Sequence, residues 1–334
     1  MSPSRVFYFD LLRSLAALFV VGIHVLGPFR HQFDVIPFDH WVVAAGLNGI
    51  SRWAVPVFIM VSGALLIGDA RPFDGKYYLQ RRVLKVVIPF LVWSVFYAYL
   101  SGWDTRGFDW NTVKTRLFDM PYEATYYHLG FFYYFIPLYA LIPIFHWAVR
   151  RYEWFTQGYL LLWLCSAVAY LFYWDGFWSA TLWLYSGYLL LGYYLSREAV
   201  HVWLWALLGI LGLAVTVYMV IHLSVDAGEY TVKRWLSYKT LNTIVIAGMV
   251  FVLCRHWGDR LSPAFQAVTR FTSRYSLGIY ILHPLVLWPM HHFVLNFSGH
   301  PLWVIPLWII MSYVGALMMS WACARFRLTR WLLP

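Results

Sequence analysis

The sequence predicts an all-α integral membrane protein, a bundle of about ten transmembrane helices with both termini in the cytoplasm. Three observations carry this. Of the 334 residues, 61% are hydrophobic and only 12% charged, against about 25% charged in an average soluble domain. Apolar runs of bilayer length recur from one end of the chain to the other. The basic residues collect in the connections between those runs, more heavily on one side than on the other. Aromatic residues make up 21%, which suits belts of Trp and Tyr at both interfaces. The formal charge of +10 would suit a nucleic-acid partner, but the cations form no single patch. Cys165, Cys254 and Cys323 each fall within an apolar run. They offer neither a disulfide framework nor a zinc-ligand spacing.

The first span opens with Asp10–His24, D-L-L-R-S-L-A-A-L-F-V-V-G-I-H. Arg5 ahead of an apolar run resembles a signal peptide, but Arg13 interrupts the run and no A-x-A site follows, so the segment reads as a retained helix. Spans are placed at 11–27, 41–67, 86–102, 129–148, 158–174, 177–195, 202–223, 240–254, 276–296 and 302–323. The last two share a charge-free run of 50 residues from Tyr275 to Ala324, divided by the turn sequence N-F-S-G-H-P at 296–301.

With ten spans, one side carries 16 of the 25 Lys and Arg residues, the other side carries 7, and Arg13 and Arg52 lie inside spans. The positive-inside rule places the richer side, and both termini, in the cytoplasm. Residues 103–128 mix charges with aromatics, and Trp110, Val113 and Leu117 follow the spacing of a short interfacial helix. Residues 224–239 read similarly, and both connections serve either as solvated loops or as a lid or acceptor-binding element. No internal repeat, P-loop or G-x-G-x-x-G is present, and residues 1–334 read as a single transmembrane domain.

Ionisable residues inside spans mark candidate sites, because each is costly in lipid. Arg13 and His24 are 11 residues apart, which on a helix puts them on one stripe with an axial rise of about 16 Å. Asp10 opens the same stretch. Arg52 lies near the middle of the second span, too deep to snorkel, and should pair or face water. Nearby, Ser62 and Gly63 permit close helix packing. In Y-S-L-G-I-Y-I-L-H-P, Tyr280 and His283 share a face, and Pro284 loosens the local helix bonding. They form either a structural pair or part of a polar cavity with His24. His128 and His222 fall at outer edges. His291 and His292 are adjacent, so on a helix they diverge by about 100°, and no metal site is expected. Arg81, Arg82 and Lys85 form a basic cluster at the start of the third helix, with Arg82 and Lys85 on one turn. They serve either as an orientation signal that meets lipid phosphate or as a seat for the phosphates of a nucleotide-like donor.

Four motifs in order, D-x-L-R with R-x10-H, then V-P-V-F-I-M-V-S-G, then R-R-x-x-K, then Y-S-L-G-I-Y-I-L-H, resemble acyltransferase family 3. The resemblance covers essentially the whole chain. Within the family it is most similar to the stand-alone O-acetyltransferases of bacterial surface glycans, the enterobacterial common antigen kind. What the resemblance implies is transfer of an acyl group from cytoplasmic acyl-coenzyme A, acetyl-coenzyme A above all, to a hydroxyl of a surface glycan or lipid-linked sugar in the bacterial inner membrane. The family's arginine and histidine fall on Arg13 and His24, its R-x-x-R on Arg82 and Lys85, and its Y-x-x-H on Tyr280 and His283. Three departures stand. Lys85 keeps the charge but loses the guanidinium fork. Gly130 occupies a place where relatives commonly carry Trp. The hydrolase-like domain of some relatives is absent.

On this reading His24 takes the proton of the acceptor hydroxyl or carries the acyl group briefly. Arg13 lies on the path of the donor's pantetheine arm, and no cofactor is permanently bound. The rival reading is a multi-pass transporter or flippase for a glycan or acyl intermediate. A non-catalytic scaffold would leave Arg13, His24, Arg52 and His283 without a role.

Overall fold

Proline, glycine and a few polar caps decide where the apolar runs break into helices. The structure, a computed structural model, describes residues 6–292, 299–327 and 329–333. Helix α1 (Phe7–Arg30) is unbroken. The second apolar run forms two helices, α2 (Phe38–Ser51) and α3 (Ala54–Leu66), with Arg52 and Trp53 at the break. Pro56 is the cause: it has no N–H for the Arg52 carbonyl four residues back, and its ring displaces that carbonyl. The third run starts earlier than its hydropathy suggests, with α4 (Gly75–Tyr78), a π turn at Leu79–Val83 and α5 (Leu84–Leu100). Asp74 caps it, accepting the Tyr77 N–H at 3.0 Å.

A two-residue hairpin, β1 (Trp103–Asp104) with β2 (Gly107–Phe108), leads into α6 (Trp110–Asp119). A short helix is expected there, and it has Val113 buried and Trp110 exposed. Next come α7 (Gly130–Arg151), entered through a 3-10 turn at Tyr127–Leu129, then α8 (Phe155–Leu171) and α9 (Thr181–Arg197). The chain continues with α10 (Val202–Ala227) and α11 (Leu241–Trp257). It ends with α12 (Pro263–Arg274), α13 (Ser276–His292) and α14 (Pro301–Arg325).

Each expected span contains a helix, and among the described residues seven helical segments are long and apolar enough to cross a membrane. These are Phe7–Arg30, Phe38–Leu66, Gly75–Leu100, Tyr127–Arg151, Val202–Ala227, Leu241–Arg260 and Pro301–Arg325. Helices α8 and α13 are apolar but shorter. The end of the ninth expected span, 293–296, and most of the turn after it lie outside the described residues. Residues 224–239 differ from expectation. Helix α10 ends at Gly228, whose φ of +68° suits glycine, and turns follow instead of an interfacial helix.

Burial ranks the helices from centre to rim. The apolar windows of α1 and of α2–α3 are 61% and 67% buried, those of α10 and α14 only 22% and 17%. Helix α1, which packs against α2, α3 and α11 to α14, is the axis, and α10 and α14 offer their apolar surfaces to lipid. The tightest crossing is α3 on α9. A Cβ on Gly63 would lie 2.0 Å from the Leu189 carbonyl oxygen, and one on Gly192 would lie 2.0 Å from that of Met60. Gly63 thus packs as expected, while Ser62 donates to the Phe58 carbonyl at 3.0 Å.

Several connection arginines close helix ends, where the carbonyls carry partial negative charge. Arg150 and Arg197 donate to the Asp69 and Gly68 carbonyls after α3, each at 2.6 Å. Arg255 donates to the carbonyls of Leu195 and, at 2.7 Å, Glu198 at the end of α9. The ends of α3, α7, α9 and α11 therefore meet at one end of the bundle.

Candidate active site

The site is assembled on α1, whose unbroken course keeps Arg13 and His24 on one stripe. Imidazoles from two other segments meet His24. Its ring stacks on that of His283, centroids 5.0 Å apart and planes 27° apart, and leans on Tyr127 at 4.8 Å. His128, in the turn before α7, lies 5.6 Å from His283 and 5.8 Å from Tyr280. His128 and His283 are fully buried. His24 beside them is only partly buried, so part of its surface stays accessible.

The Y-x-x-H-P sequence explains how His283 is held. Pro284 lacks the N–H that would bond the Tyr280 carbonyl four residues back. The His283 Nδ1 lies 2.8 Å from that carbonyl oxygen and 3.3 Å from that of Ile279. Carbonyls only accept, so Nδ1 carries the proton and Nε2 presents a lone pair. The Tyr280 hydroxyl donates to the His128 carbonyl, tying α13 to the start of α7. The expected pairing of Tyr280 with His283 is thus made through the Tyr280 backbone carbonyl, while its phenol bonds elsewhere.

The other cations sit at the two ends of α1. At the N-terminal end, Arg13 lies 3.8 Å from the buried Asp10 carboxylate, which accepts the Ser273 hydroxyl of α12 at 2.7 Å. Arg13 and Arg82 both lie within electrostatic reach of the Tyr139 hydroxyl. Tyr78, three residues into the third apolar segment, donates to the Tyr139 carbonyl at 2.8 Å. Arg82 also lines a pocket with Asp69, Arg71, Phe73, Tyr78 and His146. There the hydrogen-bonded Arg71 guanidinium holds the Asp69 carboxyl down to about 2. Lys85 is exposed and lies outside this lining, so the two cations of R-R-x-x-K are separated across the π turn.

Aromatic rings connect this end to the imidazoles. Tyr139 is 5.2 Å from Phe135, Phe135 4.5 Å from Phe131, and Phe131 5.6 Å from Tyr280. Beyond His24, Arg52 donates from Nε to Asn48 Oδ1 at 3.0 Å and from Nη1 to the Tyr238 hydroxyl at 3.1 Å. It therefore pairs inside the bundle, as its depth requires.

The structure thus gathers His24, Tyr280 and His283 in one cluster, and pairs Asp10 with Arg13 in a second group that shares the neighbourhood of Tyr139 with Arg82. Sequence reasoning missed His128 as a member of the first and Tyr139 as the meeting point of the second. The H-L-G-F-F start of the fourth span was the signal for His128. Nothing distinguishes Tyr139 within Y-Y-F-I-P-L-Y-A-L. Among the described residues, the grouping of three potential metal ligands is Asp39, His40 and His300, and it includes none of the site imidazoles. The side chains of His291 and His292 lie outside the described residues.

Fold and site together define a helical membrane protein with an imidazole cluster in its interior and a cationic group at one end of its central helix. The chain matches the acyltransferase domain of family 3 over residues 6–325. It belongs to that family and is a membrane acyltransferase. No curated protein and no solved structure matches it.

Proposed function

We propose that the protein is an O-acyltransferase, most simply an O-acetyltransferase, which moves the acyl group of cytoplasmic acyl-coenzyme A to a hydroxyl of a surface glycan or lipid-linked sugar. It would sit in the bacterial inner membrane as ten spans with both termini inside. One observation carries the catalytic part: His24, partly buried within the bundle, is stacked on a second imidazole. A base in such a place can meet a substrate without competing with bulk solvent.

Arg82 binds donor phosphate at the entrance, and Arg13 steadies the donor where α1 begins. The rise from Arg13 to His24 is about 16 Å, so the pantetheine arm runs along the Tyr139–Phe131 rings. His24 removes the proton of the acceptor hydroxyl as its oxygen attacks the thioester carbonyl. Collapse of the tetrahedral adduct breaks the C–S bond, and the proton held by His24 neutralises the departing thiolate. His283, its proton fixed on Nδ1, supports the His24 ring.

The test is transfer of radiolabelled acetyl from acetyl-coenzyme A to the glycan fraction in membranes containing the full chain. Labelled glycan that disappears in His24→Ala membranes is expected. Equal labelling with and without the protein would overturn the assignment.

A further inference from the structure

The cavity that Arg82 lines has a volume of about 220 Å³, below the about 300–1,000 Å³ that encloses a whole drug-sized ligand. It suits one flat ring system rather than an entire cofactor, and its walls are aromatic. Phe73, Tyr77 and Tyr78 line it, with the Phe73 ring 5.4 Å from that of Tyr78 and 6.1 Å from the imidazole of His146. Aromatic faces hold a nucleic base by stacking, whatever its edge carries.

His146 reads the edge. Its ring lines the cavity, although the residue is only 6% exposed. Nδ1 lies 3.1 Å from the Ile67 carbonyl oxygen, and a carbonyl only accepts, so Nδ1 carries the proton and Nε2 a lone pair. Both ring nitrogens of His128 are sealed from the surface, and Nε2 of His146 is not. Among the described residues this Nε2 has no hydrogen-bond partner. A buried acceptor that opens on a cavity calls for a donor there. Other polar groups of the lining are already engaged: Asp69 holds Arg71 at 2.5 Å, Asp74 accepts the Tyr77 N–H at 3.0 Å, and the Tyr78 hydroxyl donates to the Tyr139 carbonyl.

We infer that this cavity takes the adenine ring of the donor against Phe73, and that His146 Nε2 accepts a hydrogen bond from its 6-amino group, so that His146 sets base specificity. This rests on the reading of Arg82 as the seat of donor phosphate. Arg82 lines the same cavity, and in a nucleoside 3′,5′-bisphosphate the base and the phosphates branch from one ribose, so one cavity serves both. A 6-oxo purine would set its own lone pairs against that of Nε2. With the Nδ1 proton held by the Ile67 carbonyl, the imidazole has no donor to turn toward it. A site built around such a bond rejects the analogue that cannot make it.

The experiment is calorimetric binding to the full chain in lipid nanodiscs, with adenosine 3′,5′-bisphosphate and inosine 3′,5′-bisphosphate as probes. They carry the same phosphates and differ in the base, an amino group against an oxygen at the 6-position. The adenosine form is expected to bind about tenfold or more tightly. His146→Phe keeps a ring beside Phe73 and removes the acceptor, so it should bring the two affinities together. His146→Gln, whose amide turns to offer either group, should keep adenosine binding and strengthen that of inosine. Arg82→Ala should weaken both probes alike. Equal affinity of the parent for the two probes would overturn the assignment, as would a full preference surviving in His146→Phe. If His146→Phe does not fold, a full preference surviving in His146→Gln overturns it by the same criterion. Equal binding that still falls in Arg82→Ala would refute the base pocket and uphold the phosphate seat. An adenosine preference with affinities untouched by Arg82→Ala would uphold His146 and refute the phosphate seat. Binding of neither probe would overturn both.

Discussion

Replacing His24 by Phe separates basicity from packing. The imidazole contacts two rings, His283 at 5.0 Å and Tyr127 at 4.8 Å, and aromatic pairs are worth about 0.5–1.5 kcal/mol each beyond buried area. Truncation to Ala therefore costs about 1–3 kcal/mol of stability in addition to any catalytic loss. Phe keeps both ring contacts and removes only the ring nitrogens. Loss of a general base costs about 10²- to 10⁴-fold in rate, or about 3–5 kcal/mol in activation free energy. The Phe variant should thus lose at least about a hundredfold in turnover while its thermal midpoint stays close to that of the parent. Ala should lose both. The assay is release of free coenzyme A from acetyl-coenzyme A with saturating acceptor, run beside a thermal unfolding scan of the same preparation. A Phe variant with turnover within about threefold of the parent would show that His24 is a packing residue, because the range for a lost base begins well above that.

Three further outcomes are expected. Arg82→Ala should raise the donor KM about tenfold or more by removing a charge-assisted phosphate contact, whereas Lys85→Ala, outside the pocket, should change it little; equal effects would mean that the donor lies along the outer surface of α5. Gly63→Val places branched carbon where a Cβ already falls 2.0 Å from Leu189 O, so folded protein recovered in detergent should fall sharply, and normal recovery would refute the α3–α9 crossing. Cysteines at Asp34, Asp109 and Asp226 should react with a membrane-impermeant thiol reagent in intact cells, and those at Asp74 and Asp259 should not; external labelling at Asp74 would reverse the orientation.

Where the sequence was legible, the signal was hydropathy. Every expected span holds a helix because apolar runs of that length have few other stable forms in lipid. Arg13, His24 and Arg52 stood out for the converse reason, as charged or polar groups amid those runs. The misses share a cause. Helix α12 is amphipathic in the inverted sense: Thr269, Thr272 and Ser273 face inward while Phe265, Val268 and Phe271 are exposed. A search for an inward apolar stripe passes over it, although its start, Ser262 capping ahead of Pro263, is an ordinary helix signal. His128 was hidden at a span boundary, where a polar residue draws no notice. The R-R-x-x-K spacing assumed α-helical geometry, and the π turn through Arg81 and Arg82 changes the angular relation of Arg82 to Lys85.

The α3–α9 crossing bears on how the chain is made. Helix α9 has 17 residues and is buried without interruption from Leu184 to Leu191. Its centre therefore meets protein where a peripheral helix meets lipid, and it is absent from the helices long and apolar enough to cross alone. Such a segment takes from protein the contacts that lipid gives a peripheral helix, and α3, emerged well before it with Gly63 open, supplies them. Biogenesis then hinges on an encounter between two distant segments, and a bulky side chain at Gly63 or Gly192 would act first on the nascent chain, as a failure of insertion and early degradation, before any enzyme existed to be assayed.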